Sequence, residues 1–190
     1  TAFEPILQKR RPDWVFVVGD VNSTLACALV SSKMGISVAH VEAGLRSRDM
    51  GMPEEINRLL TDRIATLLFT PSRDADDNLR REGVAPEKIH FVGNIMIDSL
   101  TKMLPIARQL PALREFGLQP RKYALATFHR PSNVDDSATL AELLSALAVI
   151  GREFPLIFPV HPRTRQRIAA LNGQFSNHNV RLLEPLGYLE

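Results

Sequence analysis

Short apolar segments alternate with longer segments of helical periodicity along the chain. The strand-like apolar runs are Trp14–Val18, Ile36–Val41, Ala65–Phe69, Ile89–Val92, Tyr123–Thr127, Pro155–Val160 and Asn179–Leu183. The segments with helical spacing between them are Ser23–Met34, Glu54–Ile64, Ser72–Glu82, Ile97–Leu110, Ser137–Ile150 and Arg163–Leu171. Ser72 is predicted to cap its helix and Gly83 to end it. The alternation predicts an α/β fold with parallel sheets covered by helices on both faces.

The alternation is interrupted between residues 100 and 118. Pro111 follows a long helical stretch there, and a polar segment follows at residues 117–122. We therefore predict two domains, residues 1–105 and 106–190, neither of which has a complete strand series. The chain also begins with Thr-Ala-Phe-Glu-Pro in the middle of a pattern. The expectation is an internal fragment of a longer protein.

The composition and charge of the chain limit the kinds of molecule that it is expected to bind. The chain has 190 residues, a net charge of +2 and interspersed acids and bases, which argues against a nucleic acid or an anionic membrane as partner. Its apolar runs are shorter than the roughly 18 residues that would cross a bilayer. The single cysteine, Cys27, is interpreted as a small core residue. A lone cysteine also fits the cytoplasm, where disulfides are rare.

Polar side chains follow the predicted strands of the first half. In open parallel sheets, ligands bind beyond the carboxyl ends of the strands. Asp20 follows the first strand, Glu42 follows the second, and Glu54 opens the next helix. Asp20 could instead cap a helix, and Glu54 with Glu55 could be an ordinary acidic first turn. A functional role is favoured for Glu42, because burial of an unpaired carboxylate is costly.

Basic residues follow the strands of the second half. His129 and Arg130 come after one strand, and His161 and Arg163 come after the next. Either pair could be a surface feature or a ligand contact. Arginines, including Arg46 and those just named, could hold phosphates or pair with the acids.

Several common site motifs are absent from the sequence. It contains no glycine-rich dinucleotide fingerprint, no P-loop, no paired metal-ligand spacing and no serine nucleophile elbow. The residues therefore favour proton transfer on an anionic substrate by acid–base groups at the strand ends, with no cofactor and no metal.

A set of motifs in a fixed order carries a resemblance to a known family. They are Gly19-Asp20, His40-Val41-Glu42-Ala43-Gly44-Leu45-Arg46, Pro53-Glu54-Glu55-Ile56-Asn57-Arg58, Gly93-Asn94 and Phe128-His129-Arg130-Pro131-Ser132-Asn133-Val134. Together they resemble the non-hydrolysing UDP-N-acetylglucosamine 2-epimerases. The resemblance implies a glycosyltransferase B-like fold, with the second half of one Rossmann-like domain followed by the first half of a second, UDP-binding one.

The resemblance also implies a reaction. UDP-N-acetylglucosamine would lose its C2 proton and UDP to give 2-acetamidoglucal, and UDP would then add back with the opposite configuration at C2, giving UDP-N-acetylmannosamine. The family's acid–base residues match Asp20, Glu42, Glu54 and His129. The expected substrate contacts are Arg130, His161 and Arg58. Which carboxylate serves which face of C2 stays open.

Two departures from the family pattern shape the expectation for this chain. The family's Gly-Thr-Arg-Pro-Glu and Ser-Gly-Gly-x-x-Glu segments are absent, so the chain alone is expected to be inactive. The full-length protein is expected to be a cytoplasmic homodimer that binds UDP-sugars and UDP. The alternatives are a hydrolysing epimerase that releases ManNAc and UDP, and a nucleotide-sugar-binding module without catalysis.

Overall fold

The computed structural model describes residues 2–128, 130–171 and 179–189. The chain divides into two compact units, Thr1–Thr101 and Lys102–Glu190. The sequence placed a domain boundary between residues 105 and 106, close to this division. Each unit has its own parallel sheet and its own apolar core.

Strands and helices alternate in the first unit. The strands are β1 (Trp14–Val18), β2 (Ser37–Val41), β3 (Leu67–Thr70) and β4 (Ile89–Phe91). The helices are α1 (Glu4–Arg10), α2 (Asn22–Lys33), α3 (Pro53–Ile64) and α4 (Arg73–Arg81), with a 3-10 turn at Pro86–Lys88. Helix α5 (Ile95–Ala107) runs across the division between the units. The strands are parallel in the order β1-β2-β3-β4.

The core of the first unit lies on one face of its sheet. The order of the strands in the sheet is the same as their order in the sequence. When parallel strands in such an order are joined by right-handed crossovers, the connecting helices all lie on the same face of the sheet. Val17 and Leu68 on that face are buried with Ala28 of α2 and Leu79 of α4. On the opposite face Phe16 is exposed and its ring stacks on that of Phe69. Among the described residues, this face of the sheet is therefore open at Phe16, while helices cover the other face.

The second unit repeats the arrangement with fewer strands. Its strands are β5 (Ala124–Leu125), β6 (Leu156–Pro159) and β7 (Val180–Leu183), which are parallel in the order β5-β6-β7. Its helices are α6 (Ala112–Glu115), α7 (Pro131–Val134), α8 (Ser137–Glu153) and α9 (Pro162–Ala170). Leu140 and Leu144 of α8 pack with Phe158 of β6 and Ile168 of α9 in the core.

Helix ends show where local sequence signals succeed and where one fails. Asp136 precedes α8 and its carboxylate accepts a hydrogen bond from the Thr139 N–H at 2.7 Å, which lowers the pKa of Asp136. Gly83 ends α4 with a φ of 79°, as predicted. Ser72 occupies the cap position of α4, but its hydroxyl makes no capping bond, so the predicted serine cap was wrong.

Two further expectations can be compared with the structure. Cys27 is half-buried and packs against the first core, in keeping with its interpretation as a packing residue. No helix within residues 2–128, 130–171 and 179–189 is long and apolar enough to cross a membrane.

Candidate active site

Asp20 and Glu42 lie at the same edge of the first sheet. Strands β1 and β2 are parallel neighbours, so the residues that follow them come together at their carboxyl ends. The Gly19 N–H donates to the Val41 carbonyl at 3.0 Å. An Oε atom of Glu42 lies 3.8 Å from the point where a Cβ on Gly19 would stand. The fold therefore brings together two of the predicted acid–base residues.

Glu42 combines an unusual backbone with an unpaired carboxylate. Its φ is 70°, in the left-handed region where a residue other than glycine is held at a cost of roughly 1–2 kcal/mol. It is half-buried, and no hydrogen bond or ion pair within the described part of the chain reaches its carboxylate. A carboxylate without such a partner can accept a proton.

Asp20 is held by two residues of α3. Its Oδ2 accepts hydrogen bonds from Nε and Nη2 of Arg58, at 2.9 and 2.8 Å. Its main-chain oxygen accepts a bond from the Asn57 amide at 2.8 Å. The same Arg58 donates through Nη1 to Glu55 at 2.6 Å. Arg58 was predicted as a substrate contact, and in the structure its guanidinium is engaged with these two carboxylates.

The adjacent residues Glu54 and Glu55 differ sharply in environment. Glu54 is exposed in the first turn of α3. Glu55 is 2% exposed, and its carboxylate accepts from the N–H and hydroxyl of Ser47, both at 2.9 Å, and from the Arg48 N–H at 3.1 Å. Burial alone would raise the pKa of Glu55, but these hydrogen bonds and the charge of Arg58 outweigh it and lower the pKa.

The structural role of Glu55 was missed in the sequence, where only Glu54 was assigned a catalytic role. One signal could have pointed to Glu55. It stands three residues before Arg58 on a helix, a spacing at which acidic and basic side chains meet.

His40 is a fully buried histidine with a partner for each ring nitrogen. Its Nε2 lies 2.9 Å from the Gly19 carbonyl oxygen, and its Nδ1 lies 2.6 Å from Asp62 Oδ1. A carbonyl oxygen only accepts, so Nε2 carries the hydrogen and donates it. Since Gly19 precedes Asp20, this bond fixes the end of β1. His40 thus acts as a satisfied core residue behind the carboxylates.

Asp62 connects His40 to the segment that follows Glu42. Its Oδ2 accepts from the Gly44 N–H at 3.1 Å and pairs with Nη1 of Arg46 at 2.8 Å. Arg46 also donates from Nε and Nη2 to both oxygens of Glu82, each at 2.7 Å. Burial would lower the pKa of Arg46, but the two carboxylates outweigh it and raise it. Arg46 is therefore committed to acids of its own unit.

The predicted residues of the second unit lie at or near helix starts. His161 precedes α9, and its Nδ1 accepts from the Arg163 N–H at 3.3 Å. Arg163 pairs with Asp135 at 2.7 and 2.9 Å. Arg130 is exposed at the start of α7, and His129 lies outside the described residues. A cleft of about 290 Å³ is lined by Pro131, Val134, His161, Arg163 and Thr164.

Across residues 2–128, 130–171 and 179–189, no three His, Cys, Asp or Glu side chains come together as metal ligands would. What the strand ends of the first unit offer is a free carboxylate, a second carboxylate paired with arginine, and a hydrogen-bonded scaffold behind both.

A sequence model of one protein family, described as UDP-N-acetylglucosamine 2-epimerase, matches residues 1–190. The chain belongs to this family. Membership agrees with the resemblance drawn from the strand-end motifs.

Relatives of the family are similar along nearly the whole chain. A UDP-N-acetylglucosamine 2-epimerase of Methanococcus maripaludis is 42% identical over 195 residues, covering 98% of this chain and 53% of the relative. A UDP-2,3-diacetamido-2,3-dideoxy-D-glucuronate 2-epimerase of Pseudomonas aeruginosa is 44% identical over 191 residues, covering 98% and 52%. The chain spans about half the length of the curated relatives it matches.

Solved structures of the family share the fold. The Methanocaldococcus jannaschii UDP-GlcNAc 2-epimerase, in complex with UDP-GlcNAc and UDP, has a TM-score of 0.83 at 42% identity, covering 99% of this chain and 54% of that one. The Neisseria meningitidis enzyme bound to UDP-GlcNAc has a TM-score of 0.87 at 31% identity, covering 99% and 53%. The predicted fold class, α/β and glycosyltransferase B-like with parallel sheets flanked by helices, is confirmed.

Proposed function

We propose that the full-length protein epimerises UDP-N-acetylglucosamine at C2 to UDP-N-acetylmannosamine. The observation that carries the proposal is Glu42, whose carboxylate has no partner among the described residues and whose left-handed backbone stands at the strand end next to Asp20. Family membership over the whole chain gives the reaction class. In this proposal the two residues belong to the acid–base set together with Glu54 and His129.

The reaction proceeds by elimination and re-addition. A carboxylate takes the C2 proton while the C1–O bond to UDP breaks, and the product is 2-acetamidoglucal. UDP then adds back at C1, and C2 receives a proton on the opposite face. Glu42 is the better candidate for the proton-abstracting base, because no arginine in the described ranges pairs with it. Asp20, which Arg58 holds, is the candidate for the second proton transfer.

The second unit supplies the charge that binds UDP in this proposal. Arg130 and His161 are its substrate contacts, and the cleft beside Arg163 supports that assignment. The pair between Arg163 and Asp135 is largely exposed, so phosphate oxygens can replace the carboxylate at little cost. The two units are assigned as the second half of the N-terminal Rossmann-like domain and the first half of the UDP-binding one.

A second candidate substrate is favoured by one comparison. The Pseudomonas aeruginosa relative named for UDP-2,3-diacetamido-2,3-dideoxy-D-glucuronate is as similar to this chain as those named for UDP-N-acetylglucosamine. That sugar carries a carboxylate at C5 and an acetamido group at C3, but the chemistry at C2 is the same. Parallel assays with the two sugars decide between them.

A homodimer in the cytoplasm completes the proposal for the full-length protein. Ile56 and Leu60 of α3 are 40% and 48% exposed on the side of the helix that faces away from its buried polar residues. Apolar side chains grouped in this way support a surface for a second copy. Sedimentation of the full-length protein tests the dimer, and a monomer at micromolar concentration would contradict it.

Proton exchange at C2 tests the reaction directly. The full-length protein is incubated with UDP-N-acetylglucosamine in D₂O and followed by NMR, where we expect UDP-N-acetylmannosamine with deuterium at C2. Glu42→Gln is expected to slow the exchange by about 10³-fold, with the Kd for UDP changed less than twofold. Glu87→Gln, which alters an exposed glutamate, is the matched control.

Each alternative predicts a different product. Free N-acetylmannosamine with UDP would identify a hydrolysing enzyme. Binding of UDP without deuterium at C2 would identify a nucleotide-sugar-binding module. Exchange at the wild-type rate in Glu42→Gln would remove Glu42 from the acid–base set.

A further inference from the structure

Helix α3 buries charged side chains where most helices bury apolar ones. Glu55, Arg58 and Asp62 stand at positions i, i+3 and i+7, which places them on one face of the helix. Their side chains are 2%, 13% and 3% exposed. Burial of charges is unfavourable unless each finds a partner. The partners of this face are the segments that follow β1 and β2, so the buried charges of α3 serve to hold those segments.

We propose that Arg58 is a positioning residue that acts on the reaction through Asp20. The inference rests on the proposed function and goes beyond it, because family resemblance had suggested a contact with substrate. Nε and Nη2 both bond Asp20 Oδ2, and Nη1 bonds Glu55. Every nitrogen of the guanidinium thus donates to a carboxylate of the chain itself. Its planar fork orients the Asp20 carboxylate as a lysine could not.

Through Glu55, the same guanidinium also fixes the segment that follows Glu42. Glu55 binds the N–H groups of Ser47 and Arg48, and Arg48 has a φ of 61°. One arginine therefore connects the two strand ends that carry Asp20 and Glu42. Its removal would let both carboxylates move relative to the substrate, although neither is changed chemically.

Arg58→Lys in the full-length protein separates positioning from substrate binding. Lysine keeps the charge but cannot bond both carboxylates in the same geometry. We expect kcat for epimerisation to fall by about 10²-fold, since a displacement of about 1 Å has an effect of this size, while the Kd for UDP changes less than twofold. Arg63→Lys, at an exposed arginine of the same helix, is the matched control.

A double variant tests whether Arg58 acts through Asp20. In the Asp20→Asn background, we expect Arg58→Lys to lower C2 exchange by about tenfold, a smaller factor than in the wild type, because the Asp20 carboxylate has already been lost and only the effect through Glu55 remains. The same loss in both backgrounds would overturn the proposal. A rise of tenfold or more in the Kd for UDP, with kcat unchanged, would also overturn it and restore a direct phosphate contact.

Amide exchange tests the positioning independently of activity. Hydrogen exchange at Ser47 and Arg48 is expected to be at least about tenfold faster in Arg58→Lys, and also in the milder variant Ser47→Ala, which leaves the ion pairs intact. Unchanged exchange in both variants would contradict the proposal. If the wild-type protein showed no deuterium at C2, the proposed function would fail, and these amides would still decide whether Arg58 and Glu55 hold the segment.

Discussion

The strand ends of the two units carry similar side chains in opposite surroundings. In the first unit, Arg58 is 13% exposed and bridges two carboxylates of the chain. In the second unit, Arg163 is 58% exposed, and the one carboxylate that pairs with it among the described residues is that of Asp135. A buried charge that loses its partner is strongly destabilising, whereas an exposed pair contributes little. The first set of charges is therefore built into the fold, whereas the Arg163 pair contributes little to stability, which supports its proposed role in binding a ligand.

The contrast between the two units can be measured as changes in stability and in ligand affinity. Substitutions at the first site should lower the free energy of unfolding, whereas substitutions at the second should lower ligand affinity and leave stability nearly unchanged. The expected loss in the free energy of unfolding is largest for Gly44→Ala and smallest for Arg163→Gln.

Gly44→Ala should have the largest effect on stability. Gly44 has a φ of 81°, and a Cβ there would stand 2.6 Å from the Ala75 carbonyl oxygen. Strain in the left-handed region and overlap with backbone together amount to about 4 kcal/mol. Gly35→Ala is the control, because Gly35 has a φ of 74° with no atom within 4 Å and should lose only about 1 kcal/mol. Equal losses in urea unfolding would contradict the close packing inferred at Gly44.

His40→Leu should come second. Leucine would leave the Gly19 carbonyl without its donor and would remove one partner from Asp62. The expected loss is about 3 kcal/mol in the free energy of unfolding. His90→Leu changes an exposed histidine of β4 and should stay within about 0.5 kcal/mol. A small loss at His40 would show that the first site is less preorganised than its contacts imply.

The effect of Glu55 should depend on pH. Its pKa is lowered in the folded protein, so its stabilisation is present above the unfolded value of about 4.3 and is lost as pH falls through the folded value. Glu55→Gln should therefore be less stable than the wild type by about 2 kcal/mol at pH 7. The difference should shrink below pH 4. Urea titrations between pH 3 and 7 measure it, and a difference independent of pH would be the contrary result.

Arg163→Gln should have the smallest effect on stability. Loss of an exposed pair with Asp135 should change the free energy of unfolding by less than about 0.5 kcal/mol. In the full-length protein, the Kd for UDP should nevertheless rise about tenfold, as expected for one charge-assisted contact to phosphate. Calorimetric titration with UDP measures this. A loss of stability above 1 kcal/mol with unchanged affinity would reverse the contrast between the two units.

Much of the fold could be predicted because strands and helices depend on local patterns. Strand β1 was placed at its observed ends, and α3 was placed within one residue. The β5 strand is shorter than predicted, with two residues instead of the segment 123–127. Its length depends on pairing with β6, and the chain sequence does not encode that pairing locally.

The site was predicted less completely than the fold. Asp20 and Glu42 were brought together as the topology of parallel strands requires. The buried face of α3 was not foreseen, because its apolar residues at helical spacing, among them Ile56 and Leu60, are exposed. No local sequence pattern indicated that Asp62 would be buried and paired, because the residues that it contacts lie 16 or more positions earlier in the chain. Periodicity identifies a helix, but the neighbours in space decide which of its faces is buried.

The polar face of α3 also has a consequence for how the chain folds. Asp20 and Arg58 are separated by 38 positions, and His40 and Asp62 by 22. Each bond closes a long loop, so its entropic cost must be met before it contributes. We therefore expect the carboxylates to reach their places only after β1, β2 and α3 have docked. We expect substitutions on this face to accelerate unfolding more than they slow folding, as is typical of contacts that form after the rate-limiting step.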